Sequence, residues 1–410
     1  MPLTARFATA LLAIAFAAAA LSCAPVRTAT RAEVLRPPGA QPAPPPPVVV
    51  APEELPADVP SPQDGAVPPE APEATPPAGA GAAPEDELPP PPATDTIALV
   101  LPLQVPAYER AASAVRDGFL DAADAAGARA RCIVIPHGVD GVITAFEAAR
   151  AKGVAIAVGP LVRDDVKTLS ISGVKLPWTL ALNQLDDGTR LPNAVFSFAL
   201  TVESDGRMLA QRALASGLRA VDVVEGDSPL MRRFAGAFAT TWSQHGGRMP
   251  SAFRFDASSD SLTTLRRTLN QSAPDAVLLA VNGDRAALVK PFIGNIRAFA
   301  SGLVFERPLP AVARDLDGVQ VVEIPWLLTP DAPQFGGLPR RSFDSAALAR
   351  LYAFGLDAFR IAAAFRAGPP ERFDMDGATG HVSLAPGRQF AREGKLAVYR
   401  DGELVPETNP

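Results

Sequence analysis

A cysteine at the end of an apolar run, a serine in a Gly-Asp-Ser-Pro-Leu block and three histidines are side chains whose settings invite chemistry. Cys23 closes the apolar stretch Phe7–Leu21, where a thiol could accept acyl chains. Ser228 would be a nucleophile only with a histidine to take its proton and an acid to orient that histidine. Asp376 and His381, five residues apart near the C-terminal end, are the available partners. The same serine reads better as the cap of a helix opened by Pro229 at its first position. No enzyme is therefore expected. His137, His245 and His381 share no ligand spacing with each other or with Cys132, so no metal site is read. Cys132 falls in an apolar strand-like run and reads as a small buried hydrophobe. With no glycine-rich phosphate loop after any strand, no cofactor is expected.

Four polar residues, Arg163, Asn183, Asp227 and Asn282, follow strand-like runs and are candidates to line a crevice. Crevices form at the carboxyl ends of parallel strands, where the chain turns into the next helix. Arg163 could pair with an anion or serve as a solvated helix-start residue. Turn and cap chemistry accounts equally well for the asparagines and Asp227.

The elements that would position these residues fall into three segments. The first, residues 1–22, carries Arg6 and the apolar run from Phe7 to Leu21. Fifteen apolar residues rise only about 22 Å as a helix, short of the ~30 Å hydrocarbon core. A signal peptide is expected rather than a membrane span. The second segment, residues 23–94, is rich in Pro, Ala and Glu. Between Pro37 and Pro92 stand 21 of the chain's 44 prolines. Each removes a backbone donor and restricts its predecessor, so a disordered, extended tether is expected. Its reach lies between ~45 Å as a coil and ~220 Å fully extended. Residues 37–94 hold nine acidic residues and no Lys or Arg, which leaves 95–410 electrically neutral within a net charge of −6. A neutral domain with 6% aromatic residues is a poor match for nucleic-acid binding.

The third segment alternates strand-like and helix-like runs, beginning with Thr96–Leu103. Strand-like runs recur at 131–135, 154–158, 178–182, 195–200, 220–224, 252–255, 276–281 and 319–324. Helix-like runs at 109–126, 205–216, 229–245, 261–270 and 345–366 show apolar spacing of about 3.6 residues. Repeated strand–helix–strand units predict an α/β fold with parallel sheets and helices on both faces. More than 300 residues exceed a comfortable single core, so two lobes are expected.

Three resemblances extend this reading. Ala20-Leu21-Ser22-Cys23 resembles a bacterial lipobox, with Leu one step later than usual. Gly226–Leu230 resembles the nucleophile block of GDS-type esterases, although that family's Asp-x-x-His spacing is not met. Over nearly all of 95–400 the chain resembles the C-terminal domain of the LpoA/LppC family of penicillin-binding-protein activators. The specific blocks are Asp315-Leu-Asp-Gly318 followed by Pro325-Trp-Leu-Leu328, and Arg350-Leu-Tyr352 followed by Gly355-Leu-Asp-Ala358. The resemblance implies a type I periplasmic-binding-protein-like domain over 95–406. It implies one lobe of about 95–200 and 329–373, and another of about 201–328 and 374–406. It further implies an outer-membrane lipoprotein, anchored through acylated Cys23 and facing the periplasm, that binds a class A penicillin-binding protein and regulates peptidoglycan synthesis. The family's helical domain is replaced here by the Pro-rich segment. The alternative is a solute-binding lipoprotein with a small ligand between its lobes.

Overall fold

The computed structural model describes residues 88–185, 190–305 and 310–407. The expected signal peptide, Cys23 and the Pro-rich stretch through residue 87 lie outside the described residues. Thr94 anchors the start of the domain, its N–H and Oγ1 both donating to the Gly153 carbonyl at 3.1 and 2.9 Å.

In chain order the elements are β1 (Ile97–Leu101), α1 (Glu109–Ala125), β2 (Cys132–Pro136), α2 (Val142–Ala151), β3 (Ile156–Val158), α3 (Arg163–Ile171), β4 (Thr179–Ala181) and β5 (Val195–Phe198). Next come α4 (Val202–Ala215), β6 (Val221–Glu225), α5 (Pro229–Gln244), β7 (Ser251–Arg254), α6 (Ser259–Ser272), β8 (Ala276–Ala280), α7 (Gly283–Ile293), β9 (Arg297–Ser301), α8 (Pro310–Asp315), β10 (Val319–Glu323) and α9 (Pro325–Leu328). The chain finishes with α10 (Ala346–Ala363), β11 (Asp374–Asp376), β12 (His381–Ala385), β13 (Gln389–Glu393), β14 (Lys395–Arg400) and β15 (Glu403–Pro406).

The strands form two sheets, ordered β11-β12-β13-β5-β4-β3-β1-β2 and β15-β14-β10-β9-β8-β6-β7. Both are mainly parallel, with antiparallel strands at one edge of each. Burial on both faces explains the continuous apolar strands. In β8, Val277 and Leu279 enter one core while Ala276, Leu278 and Ala280 enter the core on the opposite face. The two-lobed α/β architecture is as expected, but the partition differs. Residues 374–393, assigned by resemblance to the second lobe, belong to the first sheet. There β13 pairs in parallel with β5, and Phe390 packs against Phe196, Phe365 and Phe373. Only β14 and β15 of that segment join the second sheet.

The Arg350–Ala358 block lies where α10 packs against α1. A Cβ on Gly118 would sit 1.9 Å from the Tyr352 carbonyl oxygen, and one on Gly355 2.1 Å from that of Val115. Glycine at both positions lets the two backbones touch, and this seats α10 deeply enough to reach the other lobe.

Candidate functional site

The chain crosses between sheets after β5, after β10 and after β13. Side chains from both lobes converge at these crossings. Arg350, on α10 of the first lobe, donates from Nη2 to Glu323 Oε2 at 2.5 Å and from Nε to Oε1 at 3.0 Å. Its Nη2 also donates to the Gly302 carbonyl at 2.7 Å. Glu323, at the end of β10, receives the Ile324 N–H on Oε1 at 2.9 Å. The pair is buried, with Glu323 2% and Arg350 5% exposed.

A second pair, buried on its arginine side and largely buried on its acid side, lies beside it. Arg392, on β13, donates from Nη2 to Asp205 Oδ1 on α4 at 2.7 Å. Its Nη1 donates to the Thr379 carbonyl at 3.0 Å. Burial pushes the Asp205 carboxyl up to about 6; Arg392 pulls it back, and Glu323 adds to the rise. The turn that presents Thr379 is held by Asp357 on α10. This carboxylate accepts the Ala378 and Thr379 N–H groups at 2.8 and 2.7 Å, and the Thr379 hydroxyl at 2.7 Å. Burial raises the Asp357 carboxyl against those hydrogen bonds. The Asp of the Gly355-x-Asp357 block is thus a buried organiser of the crossing.

Above the two pairs is a cavity of about 210 Å³, its walls largely apolar, with Leu200, Val202, Leu230 and Leu303 among them. A second cavity of about 300 Å³ adjoins it and shares Leu200 and Leu351. Arg163, at the start of α3, and Asn183, just after β4, line this second cavity with Tyr108 and Phe354. Asn183 also ties two loops together, donating from Nδ2 to the Leu161 carbonyl at 3.0 Å.

Asp227 and Asn282 line neither cavity. Asn282 Oδ1 caps α7 by accepting the Arg285 N–H at 3.1 Å, and Asp227 pairs with the Arg285 guanidinium at 3.2 Å. The ends of β6 and β8 are therefore occupied by cap chemistry. Ser228 caps α5, accepting the Met231 N–H at 3.4 Å. His381 sits in the other lobe between Asp374 and Asp376, at 3.0 and 3.2 Å. With both ring nitrogens against carboxylates and its strand in the opposite sheet, it does not serve Ser228. Cys132 is buried with its thiol against the Ala128 carbonyl, and burial raises its pKa. Among the described residues, no group of three or more His, Cys, Asp or Glu is placed to hold a metal.

The four charged residues at the crossings are not candidates from sequence. Arg350 stands inside a recognisable block, but Asp205 and Arg392 are 187 residues apart and carry no local signature.

A family model described as "LppC putative lipoprotein" matches residues 92–402, which take in every element of this two-lobed domain except β15. The chain belongs to the LppC family. Among its relatives, the penicillin-binding protein activator LpoA of Edwardsiella ictaluri is 28% identical over 308 residues, 63% of this chain and 44% of that protein. The LppC-family chain thus spans less than half the length of the curated relatives it matches. Among solved structures, the LpoA C-domain of Haemophilus influenzae, described as a regulator of PBP1A, is 22% identical with a TM-score of 0.65. That match covers 76% of this chain and 100% of the other. A "putative branched-chain amino acid ABC transporter" of Chromobacterium violaceum is 28% identical with a TM-score of 0.65, over 74% of this chain and 99% of the other. The periplasmic-binding-protein-like fold is common to these structures.

Proposed function

We propose that this LppC-family chain is an outer-membrane lipoprotein that binds and activates a class A penicillin-binding protein, and so regulates peptidoglycan synthesis. The observation that carries the reading is the 308-residue alignment with the penicillin-binding protein activator LpoA of Edwardsiella ictaluri. The family match at residues 92–402 falls on the two-lobed domain, so the docking function is assigned to that domain. Acylation of Cys23 supplies the anchor. At ~0.8 kcal/mol per buried CH₂, two or more acyl chains hold a protein on a bilayer stably, where one does so marginally. Ala24 in place of Asp directs the lipoprotein to the outer membrane, and the Pro-rich segment carries the domain toward the synthase.

Activation works by differential affinity. The domain binds one conformation of the synthase more tightly, and shifts its population by no more than that difference. The domain is not a catalyst on this reading, in keeping with the separation of Ser228 from His381. The test is a cross-linking assay with a purified class A synthase in detergent, with and without the full-length lipoprotein. A rise in cross-linked product together with co-purification is expected; no binding at micromolar concentration would overturn the reading.

A solute-binding lipoprotein is the second reading, favoured by the likeness to the Chromobacterium violaceum protein. Thermal stabilisation of the domain by small amino acids would support it.

A further inference from the structure

Two-lobed domains can close around a molecule that bridges their crevice, with a few residues at the crossings absorbing the motion. In this chain the bridge is made of protein. Arg350 leaves the first lobe to grip Glu323 and the Gly302 carbonyl of the second. Arg392 leaves the first lobe to grip Asp205 of the second, while its other amino group holds Thr379 on its own side. We infer that Arg350 and Arg392 form a built-in clasp that takes the bridging place of a bound solute, so that the domain is closed without a ligand and its lobes part only when the clasp is broken.

Three observations support this. First, the charges compensate within the clasp: two guanidiniums meet two carboxylates. Second, the cavity directly above the clasp, about 210 Å³, is smaller than the roughly 300–1,000 Å³ of ordinary small-molecule sites, and the one adjoining it, about 300 Å³, reaches only the lower end of that range. Third, the clasp is built from rigid parts. Glu323 ends β10, Gly302 follows β9, and the α1–α10 contact at Gly118 and Gly355 fixes the helix that delivers Arg350. Asp357 steadies the other arm by holding the turn whose Thr379 carbonyl meets Arg392.

The clasp is a property of this chain alone and does not depend on the synthase partner. Hydrogen–deuterium exchange on the full-length protein tests it. In the unmodified protein the amides of Ile324 and Thr379 are expected to exchange as slowly as those of β8. In Glu323→Gln and in Arg392→Met, exchange across the crossings at 198–204 and 322–328, and across the 376–380 turn, is expected to rise about tenfold or more while β1 and β8 keep their rates. The clasp is overturned if those crossings exchange about a thousandfold faster than β8 in the unmodified protein, a measurement that needs no variant. It is equally overturned if both variants leave the crossings unchanged. Slowing of the crossings in the unmodified protein by millimolar leucine or benzoate would overturn the ligand-free closure.

Discussion

Arg350 meets Glu323 through both carboxylate oxygens, whereas Arg392 meets Asp205 through one. The first acid also receives a backbone N–H from Ile324. The second acid is dominated by the cost of leaving water, which lifts its pKa to about 6 in spite of its partner. Both pairs join the same two lobes, so the contrast isolates one variable. A buried charge is well kept when its lone pairs are filled by geometry, and poorly kept when one bond must offset desolvation.

The largest expected effect comes from breaking the better-made pair. Glu323→Gln removes the carboxylate charge that faces the buried Arg350 guanidinium, and removing one partner of such a pair costs about 3–5 kcal/mol. Urea unfolding at pH 7.5 would measure it. A loss below about 1 kcal/mol would mean that water already reaches Arg350.

The poorer pair should reveal itself through pH. Asp205 has a folded pKa of about 6 against an ordinary value of 3.8, so the folded state holds its proton more tightly. Its contribution to stability is fully present below pH 4 and is lost as pH rises through 6. The size is on the order of 2–3 kcal/mol, taking about 1.4 kcal/mol per pKa unit. Protonation spares the folded state the cost of burying the charge, and it also removes the carboxylate that Arg392 grips. The unfolding free energy of the unmodified protein minus that of Asp205→Asn should fall between pH 4 and pH 6.5 and then level off. A rise over that range would show Arg392 winning over desolvation.

Much of this architecture is legible in sequence, and what escapes has a common cause. β1 and α10 announce themselves because a doubly buried strand is continuously apolar and a packed helix repeats every 3.6 residues. β9 goes unread because Arg297-Ala-Phe-Ala-Ser301 has no β-branched residue, and its strand state comes from neighbours on both sides. The antiparallel strands β11 to β15 are short, and the two at the sheet edges, β11 and β15, bear charges, as exposed edges tend to. The lobe that owns residues 374–393 cannot be read locally, because β13 chooses β5 through Phe390 meeting Phe198. Arg163 and Asn183 do reach a cavity wall, and the reason is that strand ends are a local feature. The clasp escapes because each acid and its arginine come from distant segments.

Removing both members of the better pair sharpens the same comparison. Arg350→Met with Glu323→Leu leaves no orphaned charge, and buried pairs replaced by apolar residues of similar volume are often near neutral. The double variant should unfold within about 1 kcal/mol of the unmodified protein. If it loses as much as Glu323→Gln, the Gly302 carbonyl left by Arg350 is the true cost, and the clasp acts through the backbone rather than the carboxylate.

The smallest effect sets the baseline against which the buried pairs are judged. Arg110 and Asp344 also pair across distant segments, but their side chains are 72% and 69% exposed. Water screens the attraction, and ordering two long side chains opposes it. Arg110→Ala should change the unfolding free energy by no more than about 0.5 kcal/mol, and raising the salt should shrink that difference further. The contrast with Glu323→Gln then rests on burial, since both substitutions remove one partner of an Arg–carboxylate pair. A loss at Arg110 as large as that at Glu323 would mean that the 329–345 segment, not the crevice, holds α1 and α10 together. Seating α10 would then fall to that segment rather than to Gly118 and Gly355.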